Sequence, residues 1–292
     1  MASVLAVIGG SGLYDVEALE DPEEIRVSTP FGDPSDAVMR GRFKGTDTIG
    51  LFLPRHGRGH RLSPSDINYR ANICALKKLG ATHVLSVSAV GSMKEEITPG
   101  DLVVVDQFID LTKRRASTFF EDGIVGHVSF ADPVCPILAS AVYEAALSTG
   151  ARVHRGGTYV CMEGPQFSTR AESRVYRSWG VSVIGMTNMP EAKLAREAEL
   201  PFATLALSTD YDCWHETEED VNVEGVLAVL RKNVGYARQV ARKLAEALPD
   251  VSKSPAKNAL RGAVMTSPQV VPEATRARLA WLLEPTGEPS EG

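Results

Sequence analysis

The chain reads as an α/β protein, a sheet with helices on its faces, and three observations lead there. Short β-rich runs alternate with helical patterns along most of its length. Several of those runs, such as "HVLSVSAV" and "DLVVVDQF", are apolar almost throughout, as strands covered on both sides are. Glycines and hydroxyl residues stand where helices should stop and start.

Taken in order, "VLAVIGG" and "TIGLFLP" are the first strands. The helix-like "SPSDINYRANICALKKLG" follows, with Ser63 or Ser65 as the expected cap and Gly80 after its last turn. "ATHVLSVSAVG" and "GDLVVVDQFI" are strands, and "DPVCPILASAVYEAALSTG" is a helix closing at Gly150. Next come the strand "GGTYVCMEG" and the helix "TRAESRVYRSWG", where Thr169 and Glu172 have capping-box spacing and Gly180 marks the end. The strand "VSVIGMT", the helix "PEAKLAREAEL", the strand "PFATLALSTD" and the long helix "VEGVLAVLRKNVGYARQVARKLAEALP" complete the alternation. Residues 1–250 therefore read as one domain without internal repeats. Residues 251–292 read as a tail with one amphipathic helix, "PEATRARLAWLLE", which needs a surface for Leu279, Leu282 and Leu283.

Composition narrows the function classes. At 292 residues, 43% hydrophobic and 23% charged, the chain has the make-up of an ordinary globular protein. Its net charge of −6 and scattered basic residues argue against a nucleic-acid partner. No apolar run approaches the roughly 20 residues that span a bilayer. The start, "MASVLAVIGGSG", lacks the basic segment of a signal peptide. The expectation is a cytoplasmic protein with no membrane contact. Cys74, Cys135, Cys161 and Cys213 lie far apart without metal-ligand spacing and are expected to be reduced and mostly buried; a Cys161–Cys213 pairing is left open.

Chemistry concentrates at strand ends. "VIGGSGLYD" is neither GxGxxG nor a P-loop, so a tight turn explains it as well as an anion cradle does, although the Ser11 hydroxyl could donate to a phosphate oxygen. "RHGRGHR" packs Arg55, His56, Arg58, His60 and Arg61 together, as a solvated loop or as an oxyanion site. "SVSAVGS" ends its strand on Ser88, Ala89 and Gly91, and Thr187 closes "VIGMT". Ligands of α/β sheets gather outside the carboxyl ends of the strands, so these donors are expected to converge. "STDYDCW" adds Asp210 and Asp212. These could form a solvated turn, a metal site with Cys213 and His215, or a pair of carboxylates that holds and protonates a ligand. Positions two apart on a strand face the same side, so both can meet one ligand if the extended geometry persists.

"GGSGLYD", "RHGRGHRLSPSDINYRANICALKKLGATHVLSVSAVGS", "PGDLVVVDQFIDLTKR", "EGPQFSTRAES", "GMTNMPEAKLAREA" and "STDYDCW" together resemble S-methyl-5′-thioadenosine phosphorylases, in the trimeric branch of the purine nucleoside phosphorylases. The likeness runs from about Val4 to Leu248. It implies a single-domain phosphorylase fold around a mixed, partly barrel-like sheet flanked by helices, and a homotrimer. It also implies phosphorolysis of a nucleoside with inorganic phosphate as co-substrate and no metal or organic cofactor. Phosphate would be held by Ser11, Arg55, His56, Ser88, the Ala89 backbone and Thr187. Met186 would meet the ribose, Phe167 would stack on the base, and Asp210 with Asp212 would receive the purine. Val223, Val226 and Leu227 would line the 5′-substituent pocket, and His127 of "GHVSFADP" would reach a neighbouring subunit's site. Many members carry Thr where this chain has Ser11 and Ser88, and the segment after about Asp250 matches no pattern of the family.

In such a reaction negative charge develops on the departing purine. An ionised carboxylate accepts from the 6-amino group, whereas only a protonated one donates to N7. Two carboxylates in an apolar pocket resist double ionisation, so the expected division has Asp210 as general acid and Asp212 as ionised acceptor. Two aspartates favour a 6-aminopurine. The close alternative is a phosphorylase of methylthioinosine or 6-oxopurine nucleosides, and the distant one is a purine-binding protein without catalysis.

Overall fold

The computed structural model describes residues 3–10, 13, 18–216 and 221–283. Its first half contains β1 (Val4–Gly9), β2 (Leu19–Ile25), β3 (Val38–Phe43), β4 (Ile49–Pro54), α1 (Tyr69–Lys78), β5 (His83–Ser92), β6 (Leu102–Val105), β7 (Gln107–Asp110) and α2 (Pro136–Leu147). The remainder contains β8 (Val153–Arg155), β9 (Thr158–Cys161), α3 (Arg170–Ser178), β10 (Val183–Gly185), α4 (Glu191–Glu197), β11 (Phe202–Asp210), α5 (Val223–Glu246) and α6 (Glu273–Leu283).

The described strands form one 11-stranded mixed sheet. Alternate residues of β1 serve opposite faces: Val4, Ala6 and Ile8 join one core cluster, Leu5 and Val7 the other. Helices α1, α4 and α6 cover the first face through Ile73, Leu76, Leu194 and Leu279. Helices α2 and α5 cover the second through Leu138, Val142, Val240 and Leu244. Double coverage is why the strands read as continuous apolar runs.

The sheet divides at β5, and that division makes room for the site. Along one edge β5 pairs with β11 from Val84 to Gly91. Along the other it pairs with β1 only as far as Ser86 and with β10 only from Gly91 onward. Between those points β1 and β10 diverge, and residues 87–90 have no strand partner on that side among the described residues. A ligand can therefore approach the β5 backbone there.

Most elements lie where the sequence places them, and the differences have local causes. The run "GDLVVVDQFI" breaks into β6 and β7 at Asp106, whose carboxylate accepts the Gly157 N–H at 3.0 Å. The break lets the chain leave the β11–β6 pairing and join β9 through β7. Ser63 and Ser65 do not cap α1. Ser63 donates to Asp66 at 2.6 Å, Ser65 reaches Glu163, and the helix starts at Tyr69, capped by Asn68, which accepts the Ala71 N–H at 3.1 Å. The Thr169–Glu172 capping box forms as expected. Gly80, Gly150 and Gly180 follow their helices with φ of 84°, 76° and 75°. The hairpin of β2 and β3 gives no sequence signal because β2, "LEDPEEI", is an exposed edge strand held by backbone pairing.

The described part of the tail packs on the body. Leu279 of α6 is fully buried and Leu282 is partly covered, whereas Leu283 stays 36% exposed. Trp281 meets Phe119 and Phe31 edge-on, with ring centroids 5.1 and 6.2 Å away. All four cysteines are buried free thiols.

Candidate active site

A cleft of about 530 Å³ opens at the division of the sheet. Its walls take Arg55 and His56 after β4, Ser88 to Gly91 of β5, Phe167 before α3, Met186 and Thr187 after β10, and Asp210 with Asp212 at the end of β11. Of the residues named from the sequence, two stand apart. Ser11 lies outside the described residues, although its neighbour Gly10 lines the cleft. His127 is on an exposed loop, its N–H bonded to the Ala263 carbonyl at 2.8 Å, and is not in this wall.

The basic end is wired from beneath. The Arg55 side chain is 1% exposed and is paired with Glu191 at the start of α4, through Nε at 2.9 Å and Nη2 at 3.0 Å. Nη2 also donates to Ser86 Oγ at 2.7 Å, and Nη1 to the Val87 carbonyl at 3.1 Å. A guanidinium carries five N–H donors. The four bonds leave one Nη1 N–H without a protein partner among the described residues. Arg55 is thus less a mobile anion clamp than a fixed charge balanced from below. His56 places a ring nitrogen, Nδ1, 2.9 Å from the Leu62 carbonyl. A carbonyl only accepts, so Nδ1 carries the proton. Burial pushes the ring's pKa down to about 4, so it is neutral near pH 7 and Nε2 offers a lone pair. His56 therefore suits a protonated phosphate oxygen, rather than supplying the donor foreseen from the sequence. His60 stacks on it, with centroids 4.1 Å apart.

Hydroxyls complete this end. Ser88 Oγ lies 3.1 Å from Thr187 Oγ1 and 3.0 Å from the hydroxyl of buried Tyr159. The Met186–Thr187 segment is held by Arg115, whose Nη1 donates to the Met186 and Met189 carbonyls at 2.6 and 2.7 Å. Its Nη2 donates to the Glu163 carbonyl at 2.7 Å, joining that loop to the strand end.

At the acidic end the chain does not stay extended. The β11–β5 register shifts between Ser208 and Asp210, β11 ends, and Asp212 turns into the left-handed region at φ 54°. Asp210 organises the turn: Oδ1 accepts the Asp212 N–H at 2.8 Å and Oδ2 accepts the Thr209 hydroxyl at 2.7 Å. The two carboxylates share the cleft through a turn, not through strand alternation. Burial raises the pKa of each, and the Asp212 charge adds to the rise at Asp210. Gly91 is needed beside them, since a Cβ there would sit 2.8 Å from Asp210 Oδ1 and 3.3 Å from the Asp212 nitrogen.

Val223, Val226, Leu227 and Leu230 present one helical stripe of α5 to the cleft, starting from a helix capped by Asn222, which accepts the Gly225 N–H at 2.8 Å. Glu224, beside Val223 in the first turn of α5, is exposed and outside the wall. Phe167 is 41% exposed at the cleft's edge, where a flat ligand could cover it. Trp214 is a packing residue: Nε1 donates to the Ser92 carbonyl at 2.7 Å and Arg177 lies 3.6 Å over its ring.

Glu191, Arg115 and Tyr159 were not singled out in the sequence. Glu191 looks like an ordinary acidic first-turn residue and Arg115 like part of a solvated basic run. Only their near-complete burial shows what they hold.

Comparison with known proteins gives the same picture along the whole chain. The phosphorylase superfamily profile matches residues 4–247. An S-methyl-5′-thioadenosine phosphorylase of Geobacter sulfurreducens is 56% identical over 280 residues, covering 96% of this chain and 97% of that protein. One from Thermosynechococcus vestitus is 54% identical, covering 97% and 99%. The crystal structure of a methylthioadenosine phosphorylase from an antarctic soil metagenomic library superposes with a TM-score of 0.90 at 49% identity, over 97% of this chain and 99% of that one. The Schistosoma mansoni methylthioadenosine phosphorylase in complex with adenine gives 0.84 at 38% identity, over 90% and 99%. With the superfamily profile spanning most of the chain and relatives more than half identical along nearly all of it, this chain belongs to the S-methyl-5′-thioadenosine phosphorylase family of the phosphorylase superfamily.

Proposed function

We propose that the protein cleaves S-methyl-5′-thioadenosine with inorganic phosphate, giving adenine and 5-methylthioribose 1-phosphate. The observation that carries this is one cleft with hydroxyl and guanidinium groups at one end, a buried aspartate pair at the other, and an apolar helical stripe beside them. Phosphate bound by Arg55, Ser88, Thr187 and the Ala89 backbone attacks C1′ of the sugar as the bond to the purine breaks. Its negative charge offsets the oxocarbenium character of the sugar. Asp210, protonated, donates to N7 of the leaving base, and Asp212 accepts from the 6-amino group. Met186 meets the ribose and Phe167 covers the base. Val223, Val226 and Leu227 suit a methylthio group better than a hydroxyl, since burying a hydroxyl without a partner is unfavourable.

Residues 1–250 form the catalytic unit in this reading, supported by the profile match ending at residue 247, and residues 251–292 are the tail, whose described part up to Leu283 packs against it. The working enzyme is a cytoplasmic homotrimer without metal or organic cofactor. The exposed position of His127, away from its own cleft, supports a role at a neighbour's site.

Incubating the protein and phosphate with methylthioadenosine, methylthioinosine, adenosine or inosine, and following free base, tests the assignment. Adenine from methylthioadenosine at the highest kcat/KM is expected. Faster hypoxanthine release from methylthioinosine would transfer the assignment to the 6-oxopurine reading, and no base from any substrate would leave only binding. Gly91→Ala probes the carboxylates independently: its methyl displaces Asp210, so turnover should fall about 10- to 100-fold. Unchanged turnover would show that Asp210 need not keep its position.

A further inference from the structure

Tyr159 stands just behind the cleft and touches the hydroxyl pair without entering the wall. Its side chain is fully buried on β9, its ring 5.7 Å from that of Phe108. Its hydroxyl lies 3.0 Å from Ser88 Oγ. Space for that hydroxyl depends on Gly185, where a Cβ would be 1.9 Å from the phenol oxygen. Among the described residues no other side chain shares the phenol hydroxyl.

Counting protons fixes the direction of these bonds. A phenol hydroxyl has one proton, and burial pushes this one well above the ordinary range, so it stays a donor. Among the described residues the acceptor within reach of its proton is Ser88 Oγ, 3.0 Å away. Ser88 then has one lone pair satisfied from behind, and its own proton, which meets the Ala89 carbonyl only at a long 3.2 Å, can turn to a ligand. Without Tyr159, the Thr187 hydroxyl, 3.1 Å away, is among the described residues the remaining side chain that can donate to Ser88 Oγ. Thr187 would then turn its proton inward and the cleft would lose a donor.

We propose that Tyr159 is a positioning residue that donates to Ser88 and thereby keeps the protons of both Ser88 and Thr187 directed at the phosphate. It touches neither substrate. The proposal rests on the reading of Ser88 and Thr187 as phosphate ligands, and the test separates the two ideas.

Tyr159→Phe removes only the hydroxyl and keeps the ring, so packing is retained. With methylthioadenosine and phosphate varied in turn, KM for phosphate should rise about five- to tenfold, the effect of roughly one lost neutral hydrogen bond. KM for the nucleoside should stay within about twofold. In a Ser88→Ala background, Tyr159→Phe should add nothing further, because the bond it removes no longer exists. An unchanged phosphate KM in Tyr159→Phe, while Ser88→Ala and Thr187→Val each raise it, overturns the proposal and leaves the phosphate site standing. No change in any of the three overturns both. A parallel rise in both KM values together with a lowered Tm also overturns it, since that is the signature of disturbed packing.

Discussion

Asp210→Asn should lower turnover of methylthioadenosine by about 10²- to 10⁴-fold, the usual contribution of a general acid, with phosphate KM nearly unchanged. The substitution is mild structurally. The Asn carbonyl oxygen still accepts the Asp212 N–H, and the Thr209 hydroxyl, 3.2 Å from the Val90 carbonyl, has a second acceptor. What disappears is a transferable proton. The sign of the pH effect follows from the raised pKa of Asp210: the acid form needed for protonating N7 is populated below that pKa and lost as pH rises through it. The wild type should therefore lose kcat on the alkaline side, and that limb should vanish in Asp210→Asn. Two carboxylates that share one proton titrate as a pair, so the limb reports the pair and the substitution assigns it. Equal turnover in the variant would remove Asp210 from the proton-donor role.

How much of this was legible in the sequence depends on which physics placed each residue. Strands buried on both faces announce themselves by apolar runs, and helix ends by Thr169, Gly80 and Gly180, because those signals are local. The cleft residues were legible for the same reason, as small and charged groups that interrupt apolar strands at their carboxyl ends. Distance information was not. Glu191 lies 136 positions from Arg55, and Tyr159 lies 71 from Ser88. Nothing in either segment foretells its partner. The Asp210–Asp212 pair was found for a partly wrong reason, since strand alternation was expected and a turn built on Asp210 Oδ1 does the work. His56 was found as well, but its tautomer is set by the Leu62 carbonyl, a contact six residues away that only the folded loop reveals.

Arg55→Ala should do more than weaken phosphate binding, and the second effect is the larger. Arg55 and Glu191 are each 1% exposed, so removing the guanidinium strands a carboxylate in the interior. Breaking one side of a buried ion pair costs about 3–5 kcal/mol, which at this chain length lowers Tm by roughly five to ten degrees. A rise in phosphate KM in that variant would consequently mix a lost ligand with a disturbed β4–β5 floor. The double substitution Arg55→Met with Glu191→Gln separates them. It removes both charges, keeps an acceptor for the Ser86 hydroxyl, which donates to Glu191 Oε1 at 2.5 Å, and fills the space of the guanidinium with an apolar chain. Replacing a whole buried pair by neutral groups is often tolerated, so Tm should recover most of its loss. Phosphate KM should remain elevated about tenfold or more, because the one Nη1 N–H not engaged by the protein is gone. Recovery of phosphate KM together with Tm would show that Arg55 supports the floor of the site and never touches the anion.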